Sequence, residues 1–212
     1  VLNLLHYSIG QLRYPDESPA ELIARAEESI QREEELIVDP RYFLKLRQRL
    51  PRISHVMVEP KRGSQHNELT RYRYDVVLEL DGPVSSQAPV EQQTWRAGMT
   101  IDSLRSWLQR TAPISAIITN VPNARTSAIA GDFYRGCPPD SDCVAASPAD
   151  IQALDPEDLW KLAETLPYRV HLDWSTADSQ GAFHACFTHR DAPVRLVAAL
   201  DCDFPQTSQL VS

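Results

Sequence analysis

The chain has 212 residues, 42% of them apolar, which is enough for a real core and unlike a disordered polymer. Its net charge of −8 and pI of about 5.2 argue against a general binder of nucleic acid or of anionic membrane. No apolar run is long enough to span a bilayer, and no basic-then-apolar leader opens the chain, so a soluble, cytoplasmic protein is expected. Val1 is not an initiator Met, which leads us to expect a piece of something longer.

The elements are legible from their ends. In "SPAELIARAEESIQREEEL", Ser18 is placed to cap a helix, Pro19 to start it, and Glu21 to complete a capping box. Leu22, Ile23, Ala26 and Ile30 share one face, and Glu21 with Arg25, and Glu28 with Arg32, lie one turn apart. "DPRYFLKLRQRL" repeats the pattern: Asp39 caps, Pro40 starts, and Phe43, Leu46 and Leu50 form a stripe that Pro51 ends. "ISHVMVE" and "YRYDVVLEL" read as strands, and Asp81-Gly82-Pro83 stops the second. Residues 84–97 read as a linker. "TIDSLRSWLQR" is then a helix, "ISAIIT" a buried strand, and "VPNAR" a turn with Asn123 as an Asx cap. Cys137 to Ser147 reads as a loop. "SPAD" and "DPED" each mark a helix start, and "YRVHLDW" and "GAFHACF" alternate like paired strands.

Four cysteines, Cys137, Cys143, Cys186 and Cys202, form no CxxC pair and suggest reduced thiols, a Cys137–Cys143 disulfide being the alternative. Seven glycines occur, and no two are separated by a single residue. GxGxxG and GxxxxGK[ST] are therefore absent, as are GxSxG and HExxH. A nucleotide-like cofactor held by the usual glycine-rich route is not expected on this chain, nor is a metal.

Between the two early strands lies a long polar connection, "KRGSQHNELTR", that sets His66, Asn67 and Glu68 side by side. Hairpin loops usually have about 2–5 residues, so a connection of about a dozen invites a functional reading. His66 titrates near neutrality and can move protons, Glu68 could orient it or act as a base, and Asn67 could bond a carbonyl or amide. The competing reading is structural: Asn67 caps a turn and Glu68 pairs with Arg71 or Arg73. His6, in "NLLHYSIG", is a second isolated candidate. His171 and His184 could form a cross-strand pair, but no third ligand is evident.

The stretch "LPRISHVMVEPKRGSQHNELTRYRYDVVLEL" resembles the C-terminal part of the S-adenosylmethionine-dependent methyltransferase domains of nonribosomal peptide synthetases and hybrid polyketide synthases. The pattern "RG..HNELTR(F/Y)RYDV" is matched by Arg62, Gly63 and the run from His66 to Val76. "EEELIVDPRYFLKLRQRLPRISHV", "VPNAR" and "DPEDLWKLAETLPYRVHLDW" are similar to the same family. The resemblance implies an α/β fold: the C-terminal half of a Rossmann-like methyltransferase, with lid helices, closing antiparallel strands and a small α/β extension. It implies lid helices and last strands over residues 1–83, a linker at 84–97, a C-terminal α/β extension at 98–204 and a disordered tail at 205–212. His66, Glu68 and His6 are then the expected catalytic groups, and Asn67, Tyr7 and Arg73 the substrate-binding ones. S-adenosylmethionine would be bound by an N-terminal half missing from this chain. The implied partners are that half or neighbouring synthetase domains, and a carrier protein; an open half-sheet also allows self-association. The rival expectation is a non-catalytic docking module derived from such a methyltransferase.

Overall fold

The first helix, α1 (Leu2–Arg13), buries Leu4, His6, Tyr7 and Gly10 against α2 (Pro19–Gln31), which buries Leu22, Ile23 and Ala26. The capping box forms at the start of α2: the Ser18 amide donates to Glu21 at 2.8 Å, and the Glu21 amide to the Ser18 hydroxyl at 3.4 Å. Arg25 pairs with Glu17 at 2.6 Å instead of Glu21, whose carboxylate is already held by the cap. Helix α3 (Arg41–Arg49) follows, with Asp39 accepting from the Arg41 amide at 2.8 Å. The computed structural model describes residues 1–82, 90–138, 151–175, 178 and 180–192.

Beyond α3 come β1 (Ile53–Pro60), the short α4 (Glu68–Tyr72) and β2 (Tyr74–Leu80). Strand β3 (Glu91–Thr94), α5 (Ile101–Thr111), β4 (Ser115–Val121) and α6 (Ala124–Gly136) are next. Helix α7 (Pro156–Glu164), β5 (Tyr168–Asp173) and β6 (Phe183–His189) complete the described elements. The architecture is mixed α/β. β1 and β2 form an antiparallel pair, and a second sheet has the order β3-β4-β6-β5, parallel between β3 and β4 and antiparallel elsewhere.

The two sheets meet along a seam. The Trp174 amide donates to the Val58 carbonyl at 2.8 Å. The Glu59 carboxylate accepts from the Leu172 amide at 3.2 Å and lies 2.5 Å from His171 Nδ1. Glu59 thus supplies with its side chain an acceptor that a neighbouring strand would supply with its backbone.

The main core fills the larger sheet with Leu104, Leu108, Ile118, Leu159, Leu172, Trp174, Phe183 and Phe187. A second cluster joins α1 and α2 to Tyr72 and to Ala130 and Phe133 of α6. Gly136 permits that approach: a Cβ there would sit 2.6 Å from Pro19 Cβ. A third cluster is Ile53, Val56 and Val58 under Phe43, Leu44 and Leu46 of α3.

Three elements depart from the sequence reading, the first being α4, a short helix that takes Glu68–Tyr72 out of the stretch read as connection and strand. Glu91–Thr94, inside the stretch read as a linker, is the edge strand β3. Its "EQQT" carries no apolar alternation, because backbone pairing to β4 holds it rather than a buried face. Helix α6 was not expected beyond the Asn123 turn, though the Asn123 side chain does accept from the Arg125 amide at 3.0 Å and starts it. Cys137 is disulfide-bonded rather than reduced, while Cys186 is free and buried, its thiol pushed well above its ordinary range by desolvation. The "SPAD" helix start, Cys143, Cys202 and the 205–212 tail lie outside the described residues.

Candidate functional site

The polar connection between β1 and β2 folds onto α6 and α7. Gly63 turns it at a φ of 140°, a value that favours glycine. The Gly63 amide donates to Glu157 at 3.0 Å, and Arg62 pairs with the same carboxylate at 2.7 Å while its guanidinium lies 4.9 Å from the Trp160 ring centroid. The Arg62 hydrogen bond is the main reason the Glu157 carboxyl lies below its usual range. Asn67 caps α4: its carbonyl oxygen accepts from the Thr70 amide, and the Thr70 hydroxyl accepts from the Asn67 amide, both at 3.2 Å.

This places the His66, Asn67 and Glu68 trio in three different roles. Asn67 makes the cap foreseen by the structural reading. Glu68 pairs with Arg73 at 2.8 Å, and Arg73 also reaches Glu35 at 3.4 Å. His66 pairs with neither neighbour. Its Nε2 lies 2.6 Å from Asp155 Oδ2, the side chain remaining 42% exposed. Glu68 is therefore not the orienting carboxylate for His66 in this structure, because the first turn of α4 points it to Arg73. That role falls to Asp155, 89 residues away in sequence.

Asp155 caps α7, accepting from the Glu157 amide at 2.9 Å. Burial opposes its ionisation, but the Glu157 amide, His66 and Arg125 together outweigh burial and hold the carboxyl below its usual range. Arg125, in the first turn of α6, has a side chain with no solvent exposure. Its Nε donates to Asp155 Oδ1 at 3.0 Å, and Nη2 lies 2.9 Å from the same oxygen. Nη1 donates to the carbonyls of Lys61 at 2.6 Å and Thr70 at 3.1 Å, and Nη2 to that of Gly63 at 2.8 Å. One guanidinium thus makes four hydrogen bonds, three to carbonyls of the connection and one to the partner of His66.

His6 and Tyr7 belong to a different neighbourhood. His6 is buried in α1, its Nε2 3.2 Å from a Glu33 carboxylate oxygen but making no hydrogen bond. Tyr7 packs edge-on against Phe133, ring centroids 5.4 Å apart, and burial pushes its hydroxyl up. It lines a cavity of about 370 Å³ with Gln11, Glu17, Leu22 and Asp132, none of which belongs to the His66 cluster. His171 is committed to Glu59, and His184 Nδ1 accepts from the Asn120 amide at 3.0 Å. Among the described residues no three His, Cys, Asp or Glu side chains converge as metal ligands, and no helix is long and apolar enough to cross a membrane.

With this geometry in hand, similarity to known proteins places the chain. It is 37% identical over 184 residues to chondramide synthase cmdD of Chondromyces crocatus, covering 82% of this chain and 5% of that protein. It is 35% identical over 189 residues to cyclosporin synthetase simA of Tolypocladium inflatum (80% and 1%). It is 32% identical over 180 residues to the beauvericin nonribosomal cyclodepsipeptide synthetase of Gibberella fujikuroi (77% and 6%). The homologues of this chain are nonribosomal peptide synthetases. No family model matches the chain. The chain spans a small fraction of each of these synthetases, so the His66 cluster is one local feature within a much longer relative.

Arg125 and Asp155 are the residues that sequence reasoning passed over. "VPNAR" and "DPED" were read as a turn and a helix start, and the hint of more was an Arg two residues after the Asn123 cap in an otherwise apolar and small-residue stretch. Three glycines leave no room to cradle the S-adenosylmethionine that the resemblance implies: the space beside Gly136 is filled by Pro19 and Ile23, and Gly63 and Gly181 turn the chain tightly against Thr70 and Thr126.

Proposed function

We propose that this chain is the C-terminal, lid- and substrate-side portion of an S-adenosylmethionine-dependent methyltransferase that acts on a carrier-tethered peptide or polyketide intermediate. The match from His66 to Val76 and the synthetase relatives support the class. The observation that carries the chemistry is the His66–Asp155 pair: a half-exposed imidazole backed by a carboxylate held in its ionised form. In this reading α1 and α2 belong to the lid, and β1 and β2 are the last strands of a Rossmann-like sheet.

S-adenosylmethionine would supply the methyl group, bound by residues other than those described here. This chain's share is proton handling. An amine, a β-keto carbon or a hydroxyl must each lose a proton to become the acceptor, and a positioned histidine can take it. A carboxylate only accepts, so Asp155 fixes the proton of His66 on Nε2 and leaves the lone pair on Nδ1. Among the described residues Nδ1 has no hydrogen-bond partner.

The remaining methyltransferase half or neighbouring synthetase domains are the proposed partners, together with a carrier protein. Support comes from β2, which pairs only with β1 among the described strands and exposes Val77, Leu78 and Leu80. The test is His66→Ala in the full synthetase. Methyl transfer is expected to slow by about 10²–10⁴-fold, the usual share of general acid–base catalysis, with cofactor affinity unchanged. Wild-type turnover would remove His66 from the mechanism.

A further inference from the structure

We propose that Arg125 and Asp155 form a positioning pair that orients His66, with Arg125 as the fixed point; this rests on the reading of His66 as the base. Two features single the pair out from ordinary surface ion pairs. The Arg125 side chain is fully buried, and its donors are divided between backbone and carboxylate. Three go to the carbonyls of Lys61, Gly63 and Thr70, which bracket His66 in the chain. One, from Nε, goes to Asp155 Oδ1, with Nη2 2.9 Å from the same oxygen, leaving Oδ2 to hold His66 Nε2.

The arrangement therefore locates His66 twice. Its backbone is fixed through the carbonyls on either side of it, and its ring is fixed through Asp155. A planar guanidinium can serve both because its donors diverge in a rigid fork, which an ammonium cannot reproduce. Asp155 is itself anchored by capping α7, so the ring orientation is tied to two helices, α6 and α7. Arg62 and Glu157, with Glu164 3.7 Å from Arg62, are the other charged groups around this cluster, and they bond one another rather than His66.

A merely structural role for the pair would show as lost stability with kcat and KM held. A positioning role shows instead as a loss in kcat with KM held, because ring orientation acts at the chemical step. The test compares His66→Ala, Asp155→Asn and Arg125→Lys in the full synthetase, measuring kcat and KM for the carrier-bound substrate. Asn caps helices about as well as Asp, so Asp155→Asn keeps the start of α7. It is expected to lower kcat about a hundredfold, the cost of misplacing a reacting group by about 1 Å, with KM little changed. Arg125→Lys should lower kcat in the same direction by loosening both the connection and Asp155. If circular dichroism shows that it unfolds, Asp155→Asn decides alone. A wild-type rate in Asp155→Asn, with His66→Ala still slow, overturns the positioning pair and leaves the base intact. A wild-type rate in His66→Ala overturns both.

Discussion

β4 and β2 are both seven-residue strands with apolar runs, yet they meet opposite surroundings. β4 is buried at every position but Asn120, flanked by β3 and β6. β2 exposes Asp75, Val77, Leu78 and Leu80, and among the described strands it pairs with β1 alone. Apolar and β-branched composition makes both into strands, but the neighbours decide whether either face is covered. The larger sheet is thus covered by helices of this chain, whereas the β1–β2 pair carries the candidate site on its connection and, among the described residues, leaves the outer edge of β2 unpaired.

The largest expected effect lies in the closed sheet. Phe183 in β6 is 1% exposed within the main core. Phe183→Ala should cost about 3–5 kcal/mol in a denaturant titration, from lost burial and the cavity left behind. A loss under about 1 kcal/mol, the typical change for an average substitution, would mean that this sheet is no better finished than β2.

A middle effect belongs to the seam between the two sheets. Glu59→Ala removes the acceptor of the Leu172 amide and the partner of His171. Leaving a buried donor unsatisfied costs about 1–3 kcal/mol, and that loss is expected in the same titration. A neutral outcome would show that the Trp174–Val58 hydrogen bond alone joins the sheets.

Much of this fold was readable in local chemistry. The caps at Ser18 and Asp155 are short-range devices, each written within four residues, and they mark helices α2 and α7, whereas at α3 the cap position falls to Pro40 and Asp39 bonds the Arg41 amide from one residue further out. Strands β5 and β6 were likewise readable, although β6 is buried on both faces rather than on alternate residues. What escaped depends on distance. Strand β3 has no apolar signature because its hold is backbone pairing with β4. The site was half legible: His66 stood out by residue type, and the capping role of Asn67 by its place before "ELT". Its true carboxylate did not, because Asp155 meets it only after α7 packs against the connection. Burial of Arg125 was equally hidden, since three of its acceptors are carbonyls 55 to 64 residues away.

The smallest effect on the chain itself is expected at the open edge, and it is the most informative about assembly. Leu80 is 57% exposed at the end of β2. Leu80→Lys removes little buried surface, so the stability of the chain should change by less than about 0.5 kcal/mol. Its effect should instead appear in association. An edge that pairs with no second described strand and exposes Val77, Leu78 and Leu80 invites another strand, and a lysine on such an edge discourages it. Light scattering should therefore show concentration-dependent association of the unaltered chain and a monomer after Leu80→Lys, with thermal unfolding unchanged. A clean monomer before substitution would mean that the exposed edge is not a contact surface. A loss of stability approaching that of Phe183→Ala would mean that Leu80 is covered after all, and the contrast between the closed and the open sheet would fail at its clearest point.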